Sequence, residues 1–449
     1  MLAQICFSLT VLMVTTPFWG QEYAPHSAVD ELMMRTPPPV SNAAYPVTIG
    51  SDVRSNYLHA GVGFSTAYDD NVLAGTDTQP VGDVSYSIFP TISFDQTTPR
   101  LHQTLMYSPG FTFYQRTGER NEEDQAFGWD LQYRLSPHIK MTLEDNFRKS
   151  SNVFNQSGVF MNGSVSGSAQ SPFVSVIAPI ADQLSNNANT ELTYQFARNS
   201  MVGGSGTFNN LHYPKPSEVS GLSNSDTRGG SVFYSQRMSL NQYIGATYQY
   251  SFNSSALPNV PSLMQLAVNS ETQTHGLLLF YTVYLGPSVS FSVSGGPQHY
   301  NVSQSSYPDI SAWKPAISAS MGWQAQRVSV AGSYSRIVSG GGGLVGAYHA
   351  DNANGTVQWA LARNWLLGSG INYANMENVN RSVSQTYPGG NLISGTVKLS
   401  HFVSTRLSMD LTYVYLHQSY NNIPVVAIAP NTNRVVMSIS YRFTRPLGR

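Results

Sequence analysis

The sequence predicts an all-β chain, closed into an antiparallel up-and-down transmembrane β-barrel of about 18 strands, with sixteen as the alternative count. Three observations carry this. Segments of alternating apolar and polar residues follow one another from Tyr57 to Phe443. The connections between them alternate in length, short then long. Only 11% of the 449 residues are charged, against roughly 25% in ordinary soluble domains.

The stretch GTVKLSHFVSTRLSMDLTYVYLHQ, residues 395–418, shows the alternation. Leu407, Met409, Leu411, Tyr413 and Tyr415 share one parity, and Ser408, Asp410 and Thr412 take the other. Successive side chains of a strand point to opposite faces, so this is a hairpin with one apolar and one polar face. A soluble sheet alternates too, so composition must decide. Little charge, with abundant Ser, Thr, Asn and Gln, 37 Gly and 26 Tyr, suits lipid outside and water inside. It suits a soluble surface poorly, because such a surface relies on charge. A net charge of -1 and no basic stripe give nucleic-acid binding no support.

Taken in order, the chain first shows the apolar run ICFSLTVLMV, residues 5–14. It is shorter than the ~18–20 residues of a membrane helix and reads as the core of an export signal peptide over residues 1–20. Cys6 lies within it, so no disulfide or cysteine-based metal site is expected in the mature chain. Residues 21–56, containing RTPPPVSNAAYP, read as a Pro-rich periplasmic linker. The barrel is expected over 57–444, with a short tail at 445–449. Within it, LLLFYTVYL (277–285) is too short for a membrane helix but fits one tilted barrel strand of roughly 9–11 residues.

The alternating segments fall at 57–68, 82–95, 101–115, 122–135, 138–150, 188–199, 200–211, 226–238 and 240–253. They continue at 271–285, 287–301, 311–325, 327–338, 350–362, 364–377, 389–402, 405–418 and 432–444. Short links such as RLSPH (134–138), ARNS (197–200), QAQR (324–327) and VSTR (403–406) alternate with long connections at 152–187, 212–226, 254–270, 339–349 and 420–431. Short turns at one end and long loops at the other are the layout of a transmembrane barrel. Rows such as Phe127, Trp129, Leu131 and Tyr133 are expected to meet lipid, and rows such as Ser288, Ser290, Ser292 and Ser294 the interior. Open sheet edges are intolerable in lipid, so the sheet must close on itself.

The last segment, NRVVMSISYRF (433–443), carries the row Val435, Met437, Ile439, Tyr441 and Phe443. With this row the chain resembles bacterial outer-membrane β-barrel proteins, porin-like families in particular. The resemblance covers 57–444. It implies the bacterial outer membrane, recognition of the terminal strand by the barrel-assembly machinery, and a pore. TRPLGR follows Phe443, where the family usually ends on the aromatic residue. The expected function is a channel for small hydrophilic solutes, with saccharides or exported polysaccharide favoured by the neutral polar wall. The alternative is a structural or adhesive platform with a filled lumen and partner-binding extracellular loops. The long loop at 152–187, folded inward, would serve either.

On the inward parity, charges stand out. Asp130, Arg134, Lys140, Glu144, Arg148 and Glu191 gather on the fourth to sixth segments, and Lys398, Asp410 and Arg442 on the last three. They are either pore-lining patches that bias permeation or mutual neutralisation between neighbouring strands. Arginine also recurs at the short turns, at Arg198, Arg327, Arg363 and Arg406, and at Arg100, Arg134 and Arg237. There it is expected either to contact lipid and lipopolysaccharide phosphates or to be ordinary turn surface. GGGLVG (341–346) matches G-x-G-x-x-G, but loop and strand follow it instead of a helix, so it reads as a flexible outer loop. The carboxylates of YDDNVLAGTDTQPVGD (68–83) and RNEEDQ (120–125) fall outside the barrel and lack the twelve-position calcium pattern. Scattered histidines, no H-E-x-x-H and no G-x-S-x-G elbow speak against an enzyme, and no cofactor or metal is expected.

Overall fold

The computed structural model describes residues 34–41, 44–46, 56–72, 80–118, 121–150, 164–166, 182–215, 222–256, 269–286, 288–305, 307–379, 389–420 and 431–446. The expected signal peptide and most of the 152–187 loop lie outside them. Two short strands, β1 (Ala44–Pro46) and β7 (Ser164–Ser166), pair with each other. The wall begins with β2 (Tyr57–Asp69), β3 (Asp83–Thr97), β4 (Leu101–Tyr114), β5 (Glu122–Ser136) and β6 (Ile139–Ser150). It continues with β8 (Gln183–Ala197), β9 (Ser200–His212), β10 (Asn224–Ser239), β11 (Gln242–Ala256), β12 (Asn269–Leu285) and β13 (Val289–Gln304). It ends with β14 (Tyr307–Gln324), β15 (Val328–Gly340), β16 (Ala347–Ala362), β17 (Trp365–Asn378), β18 (Gly389–Phe402), β19 (Leu407–Tyr420) and β20 (Asn431–Pro446).

Each wall strand pairs antiparallel with its neighbours in sequence, β6 with β8 across the long loop, and β20 returns to β2 to close an 18-stranded barrel. Every expected segment is a strand. The start of β8 departs most, at Gln183 against an expected 188.

The two faces follow parity. On β12, Leu277, Leu279 and Leu285 are more than half exposed, while Leu278 and Phe280 are 2% exposed. The outer row from Leu277 to Leu285 spans nine residues. At about 3.4 Å per residue and a tilt of about 40° it stands roughly 23 Å tall, close to the apolar band of such barrels. Aromatic pairs mark its limits: Trp313 against His299 at 4.8 Å towards the long loops, and Trp365 against His401 at 4.3 Å towards the short turns. Only a membrane makes this exterior stable, and only closure satisfies its backbone there. Inside, hydroxyls pair across strands, Thr282 with Ser292 at 2.9 Å and Ser294 with Ser318 at 2.7 Å.

Two departures from a plain ring shape the interior. The β14–β15 ladder runs from Gln324–Ser329 to Ile317–Arg336 and stops. Beyond it β14 continues on β13 alone and β15 on β16 alone. The end of β15 turns inward, where the Val338 amide donates to Gln298 Oε1 at 2.9 Å and its carbonyl accepts from Gln298 Nε2 at 3.0 Å. Ile337 packs there on Leu278 and Ala316.

The GGGLVG segment follows it inside, contrary to the expected flexible outer loop. Leu344 and Val345 are 1% and 0% exposed, the Ser223 amide donates to the Gly343 carbonyl at 2.7 Å, and the Gly346 amide to Ser255 Oγ at 3.4 Å. Its two aliphatic side chains find apolar cover only within the barrel, which draws the glycines in with them. Gly346 adopts φ 113°, a conformation strained for any side chain. Gly346→Val is therefore expected to lose about 1–3 kcal/mol, seen as a lower urea midpoint in detergent micelles at unchanged slope.

The second departure is residues 34–41, part of the expected linker. Met34 and Val40 bury in one cluster with Met201, Phe233, Tyr243 and Phe280, inward residues of β9 to β12. The Met34 amide donates to Gln195 Oε1 at 2.9 Å, and the Arg35 guanidinium lies 5.5 Å from the Tyr284 ring centroid. This segment sits inside the barrel at its short-turn end. Ser41 and Ala44 are three residues apart, at most about 11 Å, so β1 starts close to the end of this segment. Its partner β7 lies beside β15 and β16.

Candidate functional site

The inserted segments crowd the side of the lumen walled by β8 to β16. On the other side a cavity of about 550 Å³ remains among β2 to β6 and β18 to β20. Its walls follow from the inward parity. Ser65 stands opposite Ser87 and Ser438 in register, and all three line the cavity with Ser108, Thr112 and Thr412. Ser87 and Thr112 share a hydrogen bond of 2.9 Å. The Phe89 ring lies over Gly63 so closely that a Cβ there would overlap it.

The expected interior charges are distributed unevenly. Arg148, opposite Ala126 in register, lines the cavity. Lys398 lines it too, and its Nζ stands 3.4 Å from Asp410 Oδ2. Nearer the short turns, Asp130 faces Glu144 and Arg134 faces Lys140 across the β5–β6 ladder. Like charges directly opposite each other repel. The Asn146 side-chain amide donates to Glu144 Oε1 at 2.8 Å. Glu191 is buried opposite Thr142, and Arg442 is exposed opposite Gly61; neither borders the cavity.

Two charged residues lining the cavity, Arg434 and Asp124, were missed, and so was Asp69 behind Arg434. Arg434 Nε stands 3.4 Å from Asp69 Oδ1, with side chains 8% and 3% exposed. Asp124 accepts from Ser150 Oγ at 2.7 Å. Arg434 shares the parity of Ser438 and Arg442, and Asp124 that of Asp130, so alternation could have found both. Asp69 lies one residue past the expected end of its segment.

Arg198, Arg327, Arg363 and Arg406 are exposed at the short turns. Arg237 is not: 7% exposed, it donates to the Arg198 carbonyl at 2.8 Å and to Asn199 Oδ1 at 3.0 Å. At the opposite end the outer carboxylates tie strand ends. Asp83 accepts from Thr117 Oγ1 at 2.7 Å and from the amides of Val84, Arg116 and Thr117, and Asp70 accepts from Asn433. Just past β9, burial holds the Tyr213 phenol above its ordinary pKa, with Gln183 Nε2 donating to it at 3.4 Å.

No family model matches the chain, and neither does any curated protein. Solved structures of large barrels align over most of it. The ferric citrate transporter FecA, unliganded, is 11% identical over 84% of this chain and 63% of its own, with a TM-score of 0.41. The chain thus spans less than two thirds of FecA. The outer membrane protein OpdK from Pseudomonas aeruginosa is 8% identical over 86% of this chain and 99% of its own, with a TM-score of 0.39. The FpvAI–pyocin S2 complex gives 10% identity over 87% and 70%, with a TM-score of 0.43. At such values the likeness adds nothing to the geometry, which by itself is that of an outer-membrane barrel: a closed antiparallel sheet, an apolar belt and links longer at one end than at the other, the two-residue link between β13 and β14 excepted.

Proposed function

We propose that this barrel is an outer-membrane channel for small hydrophilic solutes, saccharides among them. The observation that carries the reading is the cavity of about 550 Å³ walled by serine and threonine hydroxyls inside a lipid-facing shell. Its volume falls within the roughly 300–1,000 Å³ of small-molecule sites. Hydroxyl walls suit polyols, because each hydroxyl donates and accepts. In this reading the exposed arginines at the short turns contact lipid phosphates, and the terminal strand addresses the chain to barrel assembly.

Refolded protein in a planar bilayer is expected to give stable single-channel steps that neutral oligosaccharides block in proportion to concentration. A correctly folded barrel that stays silent would sink this reading. That outcome would favour a structural or adhesive platform, the alternative supported by the inward-folded segments 34–41 and 337–346.

A further inference from the structure

We infer that the cavity prefers anionic solutes to cationic ones, a refinement that rests on the channel reading above. The charged residues of inward parity lining it are Arg148, Lys398, Arg434 and Asp124. Three are basic. Two of these bases hold carboxylates that stand behind them. The Lys398 side chain is 49% exposed and its partner Asp410 only 11%. Arg434 reaches the cavity lining, whereas Asp69 is 3% exposed and does not. The Lys398–Asp410 pair therefore turns its positive end to the water, and Arg434 lies nearer the cavity than Asp69 does. Asp69, Asp410 and Asp124 together equal the three bases in number, so the preference rests on arrangement: three bases and one acid line the water, and two acids stand behind. The carboxylates of Asp130 and Glu144 do not line it.

Arg148 stands on one wall and Lys398 with Arg434 on the facing one, so an anion between them meets positive charge from both sides. Low-dielectric walls focus such a field and raise the local concentration of the opposite charge. The hydroxyls of Ser65, Ser87 and Ser438 add donors, and the Phe89 ring adds a flat apolar face. Together they fit an anionic polyol, such as a sugar acid or a sulfated or phosphorylated sugar.

The full-length refolded barrel in a planar bilayer under a potassium chloride gradient tests this. The reversal potential should report a chloride-to-potassium permeability ratio above unity, and trigalacturonate should block at several-fold lower concentration than maltotriose. Lys398→Gln and Arg148→Gln should each pull both readouts toward parity, and Lys398→Arg should keep them. Heat-modifiable gel mobility confirms that each variant is folded. Potassium preference, or equal block by the two sugars in an active channel, overturns the inference alone. A silent, folded wild type overturns the channel reading and this refinement with it.

Discussion

Replacing Leu411 with arginine is expected to destabilise the folded barrel by about 2–4 kcal/mol, and the same change at Thr412 by less than about 1 kcal/mol. The two residues are adjacent on β19 and face opposite media. Leu411 is 51% exposed in the middle of the outer apolar row, below Tyr413, whose hydroxyl donates to Asn433 Oδ1 at 2.7 Å. A guanidinium there must be dragged through hydrocarbon. Thr412 borders the cavity opposite Lys398, where water hydrates an added charge and softens the repulsion. Equilibrium urea unfolding in liposomes measures both. Equal losses at the two sites would show that the faces are wrongly assigned.

Deleting residues 34–41 is expected to raise single-channel conductance several-fold. These residues occupy the short-turn end of the lumen on Met201, Phe233, Tyr243 and Phe280, so removing them widens the path for ions. The same deletion uncovers those four side chains to water and should lower the thermal unfolding temperature. Val40→Asp unseats the segment without shortening the chain, because a carboxylate cannot share that cluster unpaired, and should act in the same direction. Unchanged conductance in both variants would mean that the segment does not narrow the pathway.

The barrel was legible because two-residue periodicity is a local signal and each strand repeats it. The Ser290, Ser292 and Ser294 row and the Ile244, Tyr248 and Tyr250 row face as alternation requires. What escaped depends on residues far apart in sequence. Nothing local in RTPPPVS says that it will lie against β9 to β12. A clue existed on the receiving side. LLLFYTVYL is apolar on both parities, and a strand apolar on both faces needs cover on both. Lipid covers Leu277 and Leu279. Phe280, on the inner face, is covered by Met34 and Val40, and Leu278 by Ile337. For the charges, parity alone placed Lys398 and Arg148, but which base fronts water and which acid stands behind is a matter of side-chain reach between strands.

The broken ladder between β14 and β15 has a mechanical consequence. Eight residue pairs join these strands, from Ile317–Arg336 to Gln324–Ser329, whereas thirteen join the first wall strand to the last. Lys314 and Pro315 sit on the stretch of β14 that has one ladder partner, and such residues discourage a stray strand from docking on a bare edge. A hoop under load fails at its thinnest weld. Pulled or heated, this one should unzip between β14 and β15, while the clasp between its two ends still holds.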